Sequence, residues 1–172
     1  MKSIQTAFIP FFFFSLLSIA ACSSNNLPPE SQKDKPAPDF TLKDIKSREF
    51  SLKKAAGQLV LLRFWSTQCK SCREEMPKLE KTYQDLLPSG MTLIAINIGD
   101  SPEKIKTFIE GLGLTFPILL DESKNIAKEY EVFGVPTSFI IDKKGYIRER
   151  FFGDLDEREL KELIKPYLMN PV

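Results

Sequence analysis

The chain has 172 residues, 42% hydrophobic and 27% charged, enough for one globular domain with an ordinary core and some additional sequence. Its 24 basic and 23 acidic residues leave a net charge of +1, with no basic excess of the kind nucleic-acid binding needs. It contains no histidine, which excludes serine–histidine hydrolysis and histidine-ligated zinc or copper for the chain acting alone.

The N-terminus reads MKSIQTAFIPFFFFSLLSIAACSSNN. A lysine is followed by an apolar run over residues 7–21, too short and too closely followed by polar residues for a membrane-spanning helix, so residues 1–21 are expected to be a secretory signal peptide. Ile19-Ala20-Ala21-Cys22 resembles the bacterial lipobox, which implies that Cys22 is acylated and becomes the new N-terminus. More than one acyl chain gives stable anchoring. The expected location is the bacterial cell envelope, lipid-anchored with the domain facing the periplasm, on either the inner or the outer membrane. Residues 22–35 are polar and proline-rich and read as a flexible tether, and the folded domain is expected over 36–172.

Within the domain, PDFTLKDI and EFSL are short extended pieces. QLVLLRFWS is a near-continuous apolar run and reads as a buried central strand. Residues 70–87 have helical spacing, with Met76, Leu79, Tyr83, Leu86 and Leu87 on one face, Pro77 as a kink or first-turn proline, and Ser89-Gly90 as the stop. MTLIAINIG is a second buried strand. SPEKIKTFIEGLG is a helix with Ser101 as N-cap, Pro102 in the first turn and Gly111 and Gly113 closing it. A short extended FPILLD and a short helix in SKNIAKEYEV follow. TSFIID and YIRERFF, joined by a turn carrying Gly145, form a hairpin with apolar alternation on both arms, and DERELKELIKPYL is an amphipathic last helix. The order predicts an α/β domain: a central mixed β-sheet flanked by helices on both faces.

Two of the three cysteines stand two residues apart in FWSTQCKSCREEMP, where the first buried strand runs into its helix. That placement points to thioredoxin-like redox chemistry. Unpaired N–H groups and the positive end of the dipole meet at a helix N-terminus, so Cys69 there is favoured as thiolate, the attacking species in disulfide exchange. Cys72 lies one turn further on, within reach of a mixed disulfide on Cys69. Cys69 is thus expected to be the nucleophile and Cys72 the resolving residue.

RFWSTQCKSCREEMPKLEK resembles the membrane-anchored periplasmic thiol-disulfide oxidoreductases of the TlpA and ResA type, within the thioredoxin superfamily, and the resemblance runs from about Pro36 to Leu168. APDFTL matches their N-terminal strand, FGVPTSFIID the segment with the cis-proline, and DKKGYI the hairpin turn. It implies a thioredoxin-like fold in which Pro136 is cis, Val135 touches the cysteine pair, and the loop offers backbone groups to an extended substrate strand. Glu75 matches a glutamate in the family's first helical turn, implying proton relay or charge tuning at the two thiols. Trp65 and Phe64 are placed in the core or lining the site, and Trp65 joins Val135 and Pro136 as a candidate substrate contact. Two positions depart from the pattern. Gln68 stands where many relatives have tryptophan, and Arg63 stands where thioredoxins bury an acid, either reaching an edge or paired with a carboxylate. Lys70 and Ser71 fill the space between the cysteines, and Lys70 also favours the Cys69 thiolate.

The implied activity is reduction of protein disulfides through a mixed-disulfide intermediate, fed by a membrane thiol-electron donor, with oxidised proteins such as apocytochrome c as substrates and no cofactor or resident metal. Two alternatives use the same fold. A copper(I)-binding metallochaperone would take the metal on the two thiolates, and a peroxiredoxin-like peroxidase would use the peroxiredoxin-like opening of the domain.

Overall fold

The computed structural model describes residues 32–169, so the expected signal peptide, Cys22 and most of the expected tether lie outside the described residues. The domain begins earlier than residue 36. Asp34 N–H bonds the Ile147 carbonyl at 2.7 Å, Ile147 N–H bonds the Lys35 carbonyl at 2.9 Å, and Pro36 makes an antiparallel bridge with Tyr146. Asp34 also pairs with Arg148 at 2.6 Å. Residues 32–35, expected as tether, therefore lie along the outer hairpin strand and cover hydrogen-bonding groups that an edge strand leaves unpaired.

Two short strands, β1 (Thr41–Lys43) and β2 (Glu49–Ser51), pair antiparallel as a separate ribbon. The main sheet holds β3 (Leu59–Trp65), β4 (Met91–Ile98), β5 (Ile118–Asp121), β6 (Thr137–Ile141) and β7 (Ile147–Phe152) in the order β5-β4-β3-β6-β7. β3–β4 and β4–β5 are parallel, while β3–β6 and β6–β7 are antiparallel. The helices are α1 (Lys70–Leu86), α2 (Pro102–Ile109), α3 (Asn125–Glu129) and α4 (Glu157–Met169). This is a thioredoxin-like α/β fold with a mixed sheet covered on both faces.

β3 is central and buried at every position, which is why its sequence is continuously apolar. Its side chains divide by alternation. Leu59, Leu61 and Trp65 face Met76, Leu79, Tyr83 and Leu86 of α1, Ile105 of α2, and Leu160 and Ile164 of α4. Val60, Leu62 and Phe64 face Phe40, Ala127 and Tyr130 on the other side. Tyr130 is fully buried there among Phe40, Phe64 and Phe139, and its hydroxyl donates to the Pro38 carbonyl at 2.7 Å. Truncating a residue such as Met76, 1% exposed, to alanine costs about 2–5 kcal/mol and would loosen α1 from the sheet.

Two local expectations need correction. Pro77 stands in the interior of α1, not in its first turn, and supplies no N–H to the helical ladder there. α3 is the short helix expected in SKNIAKEYEV, five residues long between the left-handed backbone angles of Lys124 and Glu131. β6 does not alternate: it is buried throughout as an interior strand, while β7 carries the partly exposed face.

Candidate active site

Ser66 to Gln68 carry the chain from β3 into α1, and Cys69 is the N-cap of that helix. Its backbone is extended, and its sulfur accepts the Cys72 N–H at 3.2 Å, one of the donors a helix start leaves unpaired. The Ser71 hydroxyl is 3.6 Å from the same sulfur. Cys69 and Cys72 are joined as a disulfide, with their Cα atoms 5.3 Å apart. The two sulfurs differ in access. Cys69 is half-buried and lines a shallow depression with Ser66, Gln68, Lys70, Glu74 and Val135, whereas Cys72 is 2% exposed and packs into the core beneath α1. A reagent from solvent therefore meets Cys69 first.

The wall opposite Cys69 is the loop into β6. The Val135–Pro136 peptide is cis, Val135 is half-buried in the depression, and Pro136 is buried. The Pro136 carbonyl accepts Gly153 N–H at 2.9 Å, and the Thr137 hydroxyl donates to the Gly134 carbonyl at 2.6 Å. Among the described residues nothing hydrogen-bonds the Val135 backbone, so one N–H and one C=O are free beside the disulfide.

Trp65 does not share this surface. It is fully buried, its ring lies 5.5 Å from that of Phe108 on α2, and it belongs to the packed cluster that includes Cys72. The placement corrects the expectation of a substrate contact: Trp65 supports the site from beneath. Gln68 and Lys70 are exposed, and Lys70 lies 3.8 Å from Glu74 across one turn.

Glu75 and Arg63 meet. Arg63 alternates with Leu61 and Trp65 and so points under α1, where it is 1% exposed. Its guanidinium pairs with the Glu75 carboxylate and donates to the Ser138 hydroxyl at 2.8 Å and the Gly153 carbonyl at 3.1 Å. The second oxygen of Glu75 accepts the Leu155 N–H at 2.7 Å. Of the two environments open to Arg63, the structure has the paired one. Burial pushes the Glu75 carboxyl up, the Arg63 charge and the Leu155 N–H pull it down, and burial prevails. Burial likewise lowers Arg63, against the pull of Glu75 and Asp154, but a guanidinium stays charged.

Two features escaped the sequence. Asp100, after β4, accepts the Thr67 N–H at 2.7 Å and the Asn97 amide at 3.0 Å, fixing the segment that leads into Cys69. The nearest signal was its position at the end of a buried strand, beside a helix cap. Phe133 is 80% exposed, two residues before Val135. An aromatic in the glycine-containing turn EVFGVP was the available hint.

The AhpC/TSA family model matches residues 34–150, most of the described chain. The chain belongs to the AhpC/TSA family. Among its relatives, the thiol-disulfide oxidoreductase ResA of Geobacillus thermodenitrificans is 38% identical over 133 residues, covering 76% of each protein. The thioredoxin-like protein YneN of Bacillus subtilis is 39% identical over 137 residues, covering 76% of this chain and 78% of that one. The solved thioredoxin domain of a thiol-disulfide oxidoreductase from Bacteroides vulgatus superposes with a TM-score of 0.70 at 27% identity, over 79% of this chain and 97% of that domain. This member of the family is a thiol-disulfide oxidoreductase of the ResA type, in keeping with the disulfide at the start of α1.

Proposed function

We propose that the chain is an extracytoplasmic reductase of protein disulfides, working through the pair Cys69 and Cys72. The observation that carries it is the unequal exposure of a disulfide-bonded pair at a helix N-terminus, with a half-exposed Cys69 sharing its depression with Val135. In the reduced protein the Cys69 thiolate attacks one sulfur of a substrate disulfide and expels the other as thiolate. Cys72, deprotonated as it reacts, then attacks the Cys69 sulfur of the mixed disulfide and releases the second substrate thiol. The substrate has gained two electrons and two protons, and the Cys69–Cys72 bond has formed. A membrane thiol donor returns the two electrons by the same exchange in reverse. Sulfur carries every electron, so no cofactor is required.

Val135 and Pro136 form the docking edge for an extended substrate segment, which takes the free N–H and C=O of Val135. Phe133 adds an exposed apolar contact beside it. Glu75, one helical turn beyond Cys72 and buried like it, serves the proton transfers there. The lipobox-like sequence ending at Cys22 supports lipid anchoring, with the domain facing the periplasm from a bacterial membrane. The resemblance of RFWSTQCKSCREEMPKLEK to the TlpA and ResA type supports reduction as the direction and apocytochrome c as a substrate.

The decisive experiment is trapping in the native cell envelope. Cys72→Ala should accumulate mixed disulfides with substrate proteins, cytochrome c precursors among them, and Cys69→Ala should trap none and lose turnover. An undiminished rate of insulin reduction by Cys69→Ala would sink the scheme. Metabolic labelling with palmitate tests the anchor, since Cys22→Ala should lose both label and membrane association.

A further inference from the structure

We propose that Arg63 is a positioning residue of the cysteine centre: it holds the Glu75 carboxylate as a buried counter-charge one helical turn from Cys72, and the balance of the two charges sets how readily the cysteine pair forms its thiolate. The role rests on the disulfide-exchange reading of that pair.

Both charges are buried between β3 and α1, the interface into which Cys72 packs. Glu75 is three residues beyond Cys72 on α1, so the two are neighbours on one helix face, roughly 5–6 Å apart at Cβ. Cys72 is 2% exposed, Glu75 5% and Arg63 1%, so water does little to screen them. Arg63 reaches this position from the central strand, two residues before Trp65, whose cluster contains Cys72. Both terminal nitrogens are engaged, one on Glu75 and the other on Ser138 and Gly153. Glu75 is held from its far side by Leu155 N–H. Neither group can turn away without leaving a buried partner unsatisfied.

Other charges are less closely engaged. Asp154 on the β7–α4 loop acts on both members of the pair. Glu74 and Lys78 on α1 and Glu157 and Glu159 on α4 face the cleft beside Glu75, with water available to them. With Arg63 and Glu75 both ionised, their fields at Cys72 oppose one another. Removing the anion alone leaves a buried cation that favours the thiolate, and removing the cation alone leaves an acid that disfavours it. A staple acting only on structure has no such sign, because loosening the site from either end shifts the sulfurs the same way.

The test is titration of the reduced cysteine pair by ultraviolet thiolate absorbance, with the reduction potential measured alongside. Glu75→Gln keeps the shape and an acceptor oxygen for one of the two donors, and should lower the first thiol pKa by about one unit, a tenfold change in the thiolate ratio at fixed pH. Arg63→Met should raise it, and Arg63→Lys should stay near wild type. The double variant Arg63→Met/Glu75→Gln carries no buried charge and should return to the wild-type value; it decides the matter if Arg63→Met does not fold. No shift in Glu75→Gln, shifts of one sign in both single variants, or a double variant that keeps the Glu75→Gln shift overturns the proposal. The exchange reading itself is reported separately by the wild type, whose failure to reduce a protein disulfide would not be mistaken for any of these outcomes.

Discussion

Asp100 offers the sharpest quantitative check on how the site is held. Its Oδ2 accepts both the Thr67 N–H and the Asn97 amide, at 2.7 and 3.0 Å, and the residue is 5% exposed. Hydrogen bonds to a charged acceptor contribute about 1.5–3 kcal/mol each, and two that share one carboxylate contribute less than twice that. Asn97 is 1% exposed and has no water to turn to, whereas Thr67 is half-buried and has some. Asp100→Ala should therefore cost about 2–4 kcal/mol, and Asp100→Asn, which keeps one acceptor oxygen, about half as much. Urea unfolding followed through Trp65, the only tryptophan, measures both. Melting should fall by about 5–15 °C in the alanine variant.

Burial alone would raise the Asp100 carboxyl, but the Thr67 N–H, the Asn97 amide and the Lys104 charge outweigh it and hold it below the usual carboxylate range. Because folding lowers this pKa, the stabilisation is complete above the unfolded value of about 3.9 and is lost as pH falls through the lower folded value. The gap between wild type and Asp100→Ala should narrow across that acid window. Thr67 is two residues before Cys69, so the alanine variant should also slow exchange with a protein disulfide by about three- to tenfold through misplacement of the nucleophile. A loss under about 0.5 kcal/mol, or a gap unchanged from neutral to acid pH, would refute the reasoning.

Gly99→Ala should cost about 1–2 kcal/mol by urea unfolding, mainly from its φ of +75°, since the atom its Cβ would strike is the movable end of Lys124. Asp142 accepts Lys144 N–H, Tyr146 N–H and the Arg148 guanidinium at the β6–β7 turn; these outweigh burial and lower its pKa, so Asp142→Ala should lose about 2 kcal/mol near neutrality and less as pH falls below about 4. Phe133→Ser should reduce kcat/KM for a protein disulfide by about tenfold relative to a small disulfide, the worth of one partly buried aromatic contact, and an equal loss on both substrates would remove Phe133 from the docking surface. A backbone N-methyl scan of a peptide disulfide should find one position with a two- to tenfold loss, where an N–H meets the Val135 carbonyl, and a uniform profile would argue against strand pairing there.

The sequence made β3, α1 and β4 legible because their signals are local: apolar runs of strand length and a helical repeat opened by a cap. The Arg63–Glu75 pair was less legible because it joins two elements. Yet both of its coordinates were present. Arg63 alternates with Leu61 and Trp65, and Glu75 falls among Cys72, Met76 and Leu79 at three- and four-residue spacing, so each period aims its charge at the β3–α1 interface. Residues 32–35 have the composition of a linker, and only the unpaired edge of β7 draws them onto the sheet. Asp100 and Thr67 meet because β3 and β4 run parallel and end together, which no window on one segment reveals.

The same bonds tie the docking loop to the sulfurs. Gly153 donates to the Pro136 carbonyl and accepts from Arg63, Arg63 pairs with Glu75, and Glu75 returns to Leu155, two residues past Gly153. The ring closes around the β7–α4 loop. Gly153 occupies the proline carbonyl, and the backbone groups of Val135 stay free in the depression that Cys69 lines. A substrate strand pairing there is brought to the exposed sulfur by a segment whose position depends on the charge pair beneath the buried one. On the proposed reading, substrate placement and thiolate formation are adjusted by one set of contacts, so an Arg63 substitution should change both.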